Sequence, residues 1–398
     1  MKKVLLTNFF IIISWMLFAM EKPVFNKILS IVDKKSCEIS DITSVEIIKD
    51  MRTGWNLGNT LDATGGDGLS SETSWSQPLT TKKMIDELAY SGMRTIRIPV
   101  SWHNHIIDDN YTIDPEWMKR VKEIVDWAYN DGMYVILNTH HDNYEKNAKV
   151  PYGMGYYPNK ENYAESSRFL INVWSQICLA FNNGYDEHLI FETMNEPRPA
   201  GTNEEWNFLP GAKISSESAE VLNQLNQDVV DTIRKSGGNN KSRLIAVPGL
   251  QASPQSVLSD RFKIPTDIQT GKLIIAVHMY TPYNFAGEAP GVKRYTNQMG
   301  SELAMNFKKL NEKFIKKGYG VYIGEYGATN KNNIEDRVKW FEAFIKYSKK
   351  YEMIACLWDN GVWYVNGNDF AEHFGYFNRK TYEWYFPEIL EVIKRESK

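Results

Sequence analysis

Two glutamates stand at the ends of short apolar runs that have the pattern of buried strands. Glu196 follows the run Leu189–Phe191, and the proline after Glu196 disfavours a helical backbone at that position. Glu325 ends a second run that begins at Val321. Two carboxylates on separate strands, far apart in sequence, are what paired acid–base chemistry in a shared pocket requires. Either glutamate alone would be explained as well by a solvated loop, so the surrounding elements have to decide.

The composition is that of a folded globular chain without a charge field for nucleic acid. The chain has 398 residues, of which 42% are hydrophobic and 24% charged, and its formal net charge is -3. Its 12 Trp, 22 Tyr and 18 Phe fill a core of large rings or, in part, line a groove that stacks flat sugar rings. We therefore expect no nucleic-acid partner, and the working expectation is a monomer.

The cysteines exclude two further classes of site. Cys37, Cys178 and Cys356 are too few for a disulfide framework, and no cysteine–histidine spacing resembles a zinc site. Cys178 lies in a helical pattern and Cys356 in a strand pattern, as small core residues do. The sequence therefore predicts neither a metal nor a cofactor.

The N-terminus has the pattern of a targeting segment. Lys2 and Lys3 precede the apolar run Phe9–Ala19, which is short for a membrane span of about 20 residues. Residues 1–20 are predicted to be a secretory signal or an uncleaved anchor, because the cleavage site is poor. Residues 21–43 are predicted to be a lead-in or linker. Either way we expect a secreted, extracellular protein with no membrane contact beyond this segment.

From residue 44 to 398 the chain alternates short apolar runs with longer amphipathic stretches. Eight runs are strand candidates: Thr53–Leu57, Thr95–Val100, Tyr134–Asn138, Leu189–Thr193, Leu244–Val247, Leu273–His278, Val321–Gly324 and Ile354–Trp358. Helical patterns separate or follow them: Lys82–Tyr90, Pro115–Asn130, Tyr163–Phe181, Ser218–Ser236, Pro254–Asp260, Ser301–Lys317, Asp336–Tyr351 and Pro387–Arg395. We predict the α/β class and a single-domain (β/α)8 TIM barrel. A doubly wound open sheet is the alternative, but the first strand lacks the expected glycine-rich phosphate loop.

In such a barrel the active site lies at the C-terminal ends of the strands. Seven predicted strands finish in polar or aromatic residues: Trp55 and Asn56; Arg97, with Trp102 beyond it; His140, His141 and Asp142; Asn195 and Glu196; His278 and Tyr280; Glu325; and Trp358. Each of these residues alone could have a purely structural role, but polar or aromatic residues at seven strand ends together favour a functional site. Trp358 is the candidate stacking floor, and Trp55, Trp75 and Trp102 are candidate aromatics of the cleft.

Two of these strand ends allow alternative interpretations. Arg97 lies in an apolar strand, and a buried arginine needs an anionic partner, for which Glu325 is the natural candidate. It could instead form a purely structural ion pair. The sequence His140-His141-Asp142 could hold a metal, but adjacent residues of a strand point in opposite directions, which makes a poor chelating pair. Hydrogen bonding to sugar hydroxyls or to a carboxylate is the favoured role.

Taken together, these residues resemble glycoside hydrolase family 5, the retaining (β/α)8 β-glycanases, in the endo-β-1,4-glucanase branch. The matching segments occur in family order: GWNLGNTLDA at 54–63, RIPVSW at 97–102, LNTHHD at 137–142, MNEP at 194–197, HMYTPYNF at 278–285, GEYG at 324–327 and LWDNG at 357–361. MNEP or GEYG alone would be weak, whereas the ordered set is specific and covers the chain from about residue 44 to its end.

The resemblance implies a role for each matching residue. Glu196 matches the acid/base and Glu325 the nucleophile. Asn195 matches the residue that binds the sugar 2-hydroxyl, and Arg97 and Tyr280 match positions that keep the nucleophile ionised and oriented. The remaining substrate contacts are implied to be His140 and His278 around the cleaved sugar, Trp358 beneath it and Asn56 farther along the cleft. His141 is a further candidate substrate contact because of its place at the end of the third strand.

The chemistry of the pair agrees with this resemblance. A retaining glycosidase needs two carboxyls about 5–5.5 Å apart, one protonated and one ionised. Like charges this close cannot easily both ionise, so one pKa should rise. Because Arg97 should keep Glu325 ionised, we expect Glu196 to carry the proton.

Several alternatives stay open at this stage. The substrate could be xyloglucan, mixed-linkage glucan, xylan or mannan, because outer loops such as Tyr144–Asn159 and Pro199–Ile214 decide which chain fits. A non-catalytic carbohydrate-binding barrel would have no need for both carboxylates. A metal-dependent barrel hydrolase would use His140, His141 and Asp142 as ligands, and sensitivity to chelators would reveal it.

Overall fold

Eight parallel strands close into a barrel in chain order, with the last strand bonded to the first. The computed structural model describes residues 35–144, 155–365 and 372–396. The strands are β1 Thr53–Asn56, β2 Thr95–Ile98, β3 Tyr134–Asn138, β4 Leu189–Glu192, β5 Ile245–Pro248, β6 Leu273–His278, β7 Gly320–Tyr326 and β8 Ile354–Leu357. All eight predicted strands are present, and the predicted (β/α)8 barrel is confirmed.

Helices form the layer outside the barrel. Those of the described residues are α1 Ser44–Met51, α2 Lys82–Tyr90, α3 Pro115–Asn130, α4 Tyr163–Ala180, α5 Lys213–Lys235, α6 Pro254–Leu258, α7 Tyr283–Ala286, α8 Asn297–Lys313, α9 Ile334–Lys350 and α10 Pro387–Glu396. Each predicted helix is present; α2 and α3 have the predicted bounds, and the others differ at one or both ends. The predicted Ser301–Lys317 helix ends as a 3₁₀ turn after Lys313, and α1 and α7 were not predicted.

Local sequence signals set the starts of several helices. Thr81 accepts a hydrogen bond from the backbone N–H of Met84 at the start of α2, and Asp114 does the same for Glu116 in α3. Pro115 occupies the first turn of α3, where its missing N–H costs nothing. Each helix then buries an apolar face against the barrel.

Alternation along the strands sorts their side chains into two layers. In β3, Val135 and Leu137 face the helices, whereas Tyr134 and Ile136 face the inside of the barrel. The inner side chains at the N-terminal end form an apolar cluster, which we call the lower cluster. Its members are Ile47, Ile48, Met51, Tyr134, Ile136, Ile190, Leu244, Ala246, Ile274, Ala276, Tyr322, Ile354 and Cys356.

Helix α1 closes the N-terminal end of the barrel over the lower cluster. Ser44 Oγ accepts a hydrogen bond of 2.9 Å from the Gly320 N–H at the start of β7. Thr95 Oγ1 donates one of 2.8 Å to the Met51 carbonyl at the other end of the helix. A Cβ at position 320 would lie 2.4 Å from the Ser44 carbonyl oxygen, so this close approach requires glycine.

The N-terminal predictions fall mostly outside the structure. Residues 1–20, predicted to be a signal or anchor, and residues 21–34 of the lead-in are outside the described residues. Residues 35–43 are bonded to the barrel, since the Cys37 N–H donates to the Asn183 carbonyl (2.8 Å) and Lys272 Nζ to that of Ile42 (2.6 Å). Among the described residues, no helix combines the length and apolar character needed to cross a membrane.

Candidate active site

The two predicted carboxyls meet at the C-terminal mouth of the barrel. Glu196 lies in the segment after β4, and Glu325 lies within β7. One carboxyl oxygen of each and one ring nitrogen of His278 all lie within 4.8 Å of one another. His278 Nδ1 is 2.8 Å from Glu196 Oε1 and 3.6 Å from Glu325 Oε2. The site therefore contains a close carboxyl pair with an imidazole between its members.

A strand irregularity turns Glu325 into the mouth. Tyr322 faces inward, so regular alternation would place residue 325 on the outer face. The register of β6 against β7 shifts at His278, which pairs with Glu325 and skips Gly324. A Cβ on Gly324 would lie 2.9 Å from His278 Nε2, so the glycine also makes room for the imidazole.

Two donors fix the Glu325 carboxylate. Arg97 Nη1 donates to Oε1 at 2.8 Å, and the Tyr280 hydroxyl donates to Oε2 at 3.0 Å. Each oxygen therefore has its own donor, which restricts rotation of the carboxylate. The partner proposed for Arg97 from the sequence is thus within hydrogen-bonding distance.

Arg97 is the hub of a buried network that the sequence did not reveal in full. Its Nε donates to Glu192 Oε2 at 2.8 Å, and its Nη2 donates to Asn195 Oδ1 at 2.6 Å. Glu192 is itself fully buried and also accepts from Asn138 Nδ2 (2.9 Å) and the Tyr322 hydroxyl (2.5 Å). Because one guanidinium holds both Glu325 and Asn195, it fixes their relative positions.

The orientation of Asn195 follows from this contact. Its Oδ1 accepts from Arg97 and its backbone N–H donates 2.8 Å to the Thr139 carbonyl. Within the described residues its Nδ2 makes no hydrogen bond, which leaves that group as a donor toward a ligand.

The pKa values of the two carboxyls are pushed apart. Burial raises the pKa of Glu325, against the opposing charges of His278 and Arg97. Burial acts in the same direction on Glu196, but the hydrogen bond from His278 and the charges of His278 and Arg198 outweigh it, so the pKa of Glu196 is lowered. One pKa therefore rises, as expected for carboxyls this close. The rise falls on Glu325 and the lowering on Glu196, a division that depends on the His278–Glu196 contact and that the sequence could not show.

His140 and His141 lie side by side, with ring centroids 4.5 Å apart. The expectation that they point in opposite directions is wrong, because β3 ends at Asn138 and both residues follow the alternating strand. Their donor atoms and a carboxyl oxygen of Asp62 lie within 4.8 Å of one another, which is close enough to hold a metal ion. Asp142, the third ligand considered from the sequence, instead accepts from backbone N–H groups of the loop after β2.

These histidines are suited to neutral hydrogen bonding. Burial holds the pKa of His140 well below its usual range and, with the charge of Arg198, lowers that of His141 to about 4. Asp62 already accepts the backbone N–H groups of Asn59 (3.0 Å) and Thr60 (2.6 Å), so its carboxylate is engaged in shaping the loop after β1. Sugar hydroxyls are a better match for neutral imidazoles at this position than an ion is.

Two of the four predicted aromatics line the mouth. The Trp358 ring is nearly parallel to that of His140, with an interplanar angle of 4° and centroids 5.9 Å apart. Trp75 is partly exposed, and its ring lies 5.4 Å from that of His141. Gly58 supports this wall, since a Cβ there would lie 2.8 Å from the Trp358 ring.

The prediction that Trp55 and Trp102 line the cleft is wrong. Both are fully buried in the layer between strands and helices. The Trp55 Nε1 donates to Asp359 Oδ2 at 3.0 Å, and the Trp102 Nε1 donates to the Asn138 carbonyl at 2.9 Å. Trp55 faces outward because its neighbour Asn56 faces inward.

The prediction that Asn56 contacts the sugar is also wrong. It is fully buried, and its Oδ1 accepts from Arg97 Nη1 at 2.9 Å. Its Nδ2 donates to the carbonyls of Gly324 (2.9 Å) and Cys356 (3.1 Å). Since no part of the amide is left for a sugar, Asn56 orients Arg97 and ties β1 to β7 and β8.

Sequence reasoning missed two further residues at the mouth. Glu192 was read as part of an apolar strand, yet it lies two residues after the inward-facing Ile190, and that spacing could have revealed it. Trp206, in the outer loop after β4, is 60% exposed with Arg198 over its ring. An exposed indole held in place by Arg198, which is itself bonded to the Glu196 carbonyl, is suited to stacking a sugar.

A parallel barrel with paired carboxyls, neutral imidazoles and an aromatic wall at its strand ends defines the class of barrel glycoside hydrolases. The model of the family Cellulase (glycosyl hydrolase family 5) matches residues 61–362. The chain belongs to this family, and the predicted enzyme class is confirmed.

Similar proteins agree with this assignment. Endoglucanase B of Ruminococcus albus is 43% identical over 352 residues, which are 88% of this chain and 80% of that protein. The solved structure of a family 5 lichenase from Caldicellulosiruptor sp. F32 superposes with a TM-score of 0.83 at 40% identity, covering 91% of this chain and 97% of that one. A broad-specificity endoglucanase from Ruminococcus champanellensis with bound cellotriose gives 0.81 at 38% identity, covering 90% and 99%.

Proposed function

We propose that the protein is a secreted, retaining endo-β-1,4-glucanase that uses Glu325 as nucleophile and Glu196 as acid/base. The observation that carries the proposal is the separation of the pair, within 4.8 Å between one oxygen of each carboxyl. Retaining glycosidases have carboxyls about 5–5.5 Å apart, whereas inverting enzymes need about 6.5–9.5 Å to admit a water. The family match and the endoglucanase relatives support the same reaction.

In the first step, Glu325 attacks the anomeric carbon and Glu196 protonates the departing glycosidic oxygen. Arg97 and Tyr280 hold one oxygen of Glu325 each, so the attacking carboxylate is already oriented. The bond to the leaving sugar breaks, its oxygen takes the Glu196 proton, and a covalent glycosyl-enzyme forms.

This step requires the proton on Glu196 and the negative charge on Glu325. A developing positive charge at the anomeric carbon stabilises ionised Glu325, and a glycosidic oxygen against Glu196 provides an acceptor for its proton. His278 Nδ1 lies between the carboxyls, 2.8 Å from one and 3.6 Å from the other. Substrate that displaces the His278–Glu196 contact removes the hydrogen bond that lowers the pKa of Glu196.

In the second step, ionised Glu196 takes a proton from water, which attacks the anomeric carbon and releases Glu325 with retained configuration. Asn195, whose Oδ1 is held by Arg97, donates its Nδ2 hydrogen to the sugar 2-hydroxyl. Trp358 stacks beneath the cleaved sugar, and His140 and His141 bond its hydroxyls. No metal or organic cofactor enters any step.

The reaction is tested by following the first product formed from a cellooligosaccharide by NMR. The β-anomer is expected first, and an initial α-anomer would contradict the proposal. In parallel, release of reducing ends from carboxymethyl cellulose is measured for the wild type and Glu325→Gln. We expect a loss of several orders of magnitude in the variant, in line with the removal of a nucleophile. Glu335→Gln, on the outer helix α9, is the control and should keep wild-type activity.

The range of substrates is a second question for the same assay. One structural neighbour is a lichenase and another a broad-specificity endoglucanase, which favours mixed-linkage β-glucan as a further substrate. Xyloglucan, xylan and mannan are tested beside it. The outer loops Tyr144–Asn159 and Pro199–Ile214 are proposed to set this range, and residues 145–154 of the first are outside the described residues. A barrel that binds these glycans without cleaving any would be the non-catalytic alternative.

Secretion and a monomeric state are proposals from the sequence. Expression of the full chain with recovery of activity in the culture medium tests the first, and sedimentation of the purified protein tests the second. Activity confined to the cell pellet would favour an uncleaved anchor.

A further inference from the structure

Arg198 connects the acid/base to an exposed aromatic ring. It lies two residues after Glu196, and its Nη1 donates 3.2 Å to the Glu196 carbonyl. Its backbone N–H donates 2.6 Å to Asn143 Oδ1, so the residue is anchored from both ends. Its Nε forms an ion pair of 2.9 Å with Glu205 Oε1.

The guanidinium of Arg198 covers one face of Trp206. Its central carbon lies 4.3 Å from the centre of the indole, and Trp206 remains 60% exposed. Glu205, the residue before Trp206, accepts from the Gly201 N–H (2.9 Å) as well as from Arg198, which closes the loop into a compact turn. The indole is therefore held at one face and open at the other.

The position of this ring relative to the reaction follows from the proposed roles. The sugar that departs takes its proton from Glu196, so it lies on the Glu196 side of the cleaved bond. Trp206 belongs to the loop that follows Glu196 after β4, whereas Trp358 follows β8, which lies opposite β4 in the closed eight-strand barrel. Trp206 is thus on the Glu196 side of the mouth, together with the departing part of the chain.

We propose that Arg198 is a positioning residue that holds Trp206 as the platform for the departing sugar and ties that platform to the backbone of Glu196. The inference rests on the proposed function. A planar guanidinium can stack on the indole while it also bonds a carboxylate and a carbonyl, which a lysine ammonium cannot do at once.

The test compares two substrates that differ in the departing group. Carboxymethyl cellulose has a sugar on the Glu196 side of the cleaved bond. Cellobiosyl fluoride has none, because a fluoride ion leaves and needs neither a platform nor protonation. The variants are Arg198→Lys, Trp206→Ala and the double variant, each measured as kcat/KM on both substrates. The matched control is Arg168→Lys, another arginine over an aromatic ring (4.7 Å from Tyr111) with a glutamate partner (3.3 Å from Glu165).

Both single variants are expected to lose about tenfold on the polymer, the size of a stacked aromatic or cation–π contact. On the fluoride their kcat/KM should stay within about twofold of the wild type, because the variants weaken only contacts with a departing sugar and this substrate has none. If Arg198 acts through Trp206, the double variant should be no worse on the polymer than Trp206→Ala alone. The control should change neither substrate.

Three outcomes would overturn the inference. They are equal losses of Arg198→Lys on both substrates, additive losses in the double variant, and no loss on the polymer. If Arg198→Lys fails to fold, Glu205→Gln removes the carboxylate partner and should give the same preference in a weaker form. A wild type inactive on both substrates would refute the proposed function itself, which is a separate result.

Discussion

The two halves of the barrel interior have opposite chemistry. At the N-terminal end, beneath α1, the inward side chains are those of the lower cluster, such as Ile136, Ile190 and Ala276. One inward position farther along the same strands, they are Asn138, Glu192 and His278. The same alternation therefore produces a packed apolar end and a charged end within a few residues.

This difference separates the sources of stability and of chemistry. The lower cluster gains free energy from the burial of its apolar side chains, and the hydroxyls of its two tyrosines are hydrogen-bonded. At the upper end, the Arg97 and Glu192 charges are fully buried, and such a pair contributes little net stability even though breaking it is costly. The upper network is explained by what it orients, namely Glu325 and Asn195.

The largest expected effect comes from breaking the upper network at Glu192. Glu192→Ala leaves the Arg97 charge without its strongest partner and should destabilise the protein by about 3–5 kcal/mol. It should also reduce kcat per folded molecule, because Arg97 no longer fixes Glu325 and Asn195. Urea unfolding and kcat on carboxymethyl cellulose measure the two effects. Tyr322→Phe, which removes one hydrogen bond to the Glu192 carboxylate, is the milder control at about 1.5–3 kcal/mol. A Glu192→Ala variant with wild-type kcat would show that the network only fills space.

At the lower end, truncation should affect stability alone. Ile48 on α1 is 1% exposed, and Ile48→Ala is expected to cost about 2–5 kcal/mol through the cavity it leaves. Its kcat and KM at a temperature where it is folded should match the wild type. Ile42→Ala, a partly buried contact of the same cluster, should cost less. A fall in kcat for Ile48→Ala would mean that the two halves are not independent.

The loss of stability in acid should also come from the upper half, because the lower cluster has no histidine or carboxyl that could take up a proton. His105, in the loop after β2, stacks on Trp117 with centroids 3.6 Å apart, and burial lowers its pKa to about 3. The unfolded chain binds this proton near pH 6.5, so stability is lost as the pH falls from there toward 3. His105→Phe should therefore remove about 2 kcal/mol of the destabilisation between pH 7.5 and 5, measured by urea unfolding.

Trp117→Phe is the control for this measurement. It changes the ring on which His105 stacks, with centroids 3.6 Å apart, but leaves the imidazole in place. It should lower the free energy of unfolding at both pH values without removing the loss between pH 7.5 and 5. An unchanged pH dependence in His105→Phe would place the acid sensitivity outside this loop.

The sequence predicted what depends on periodicity and strand ends. Strand order, the helices between strands and the pair Glu196 and Glu325 follow from apolar runs and from where they stop. The errors arose where a single residue decides which face a side chain occupies. Trp55 faces the helices because it is one position away from an inward-facing residue. Asn56 does face the interior, but both polar atoms of its amide are hydrogen-bonded to protein groups.

Irregular backbone accounts for the remaining failures. Glu325 reaches the mouth through a register shift at His278, which no alternation rule predicts. His140 and His141 lie together because the strand has already ended. The order of the two carboxyl pKa values depends on a 2.8 Å contact between residues 82 positions apart. Each of these is a tertiary contact that local patterns do not contain.

The smallest effect should appear at the outer edge of the upper half. Trp75 lies beyond the buried network, partly exposed against His141, so it should contribute to substrate contact rather than to folding. Trp75→Ala should raise KM for carboxymethyl cellulose by a factor corresponding to about 0.5–1.5 kcal/mol, with kcat and unfolding free energy unchanged. Tyr90→Ala, which removes an 84% exposed aromatic from the end of α2, should change none of these values. If Trp75→Ala lowered stability and left KM unchanged, Trp75 would belong with the packed aromatics Trp55 and Trp102, and the polar upper half would end at His141.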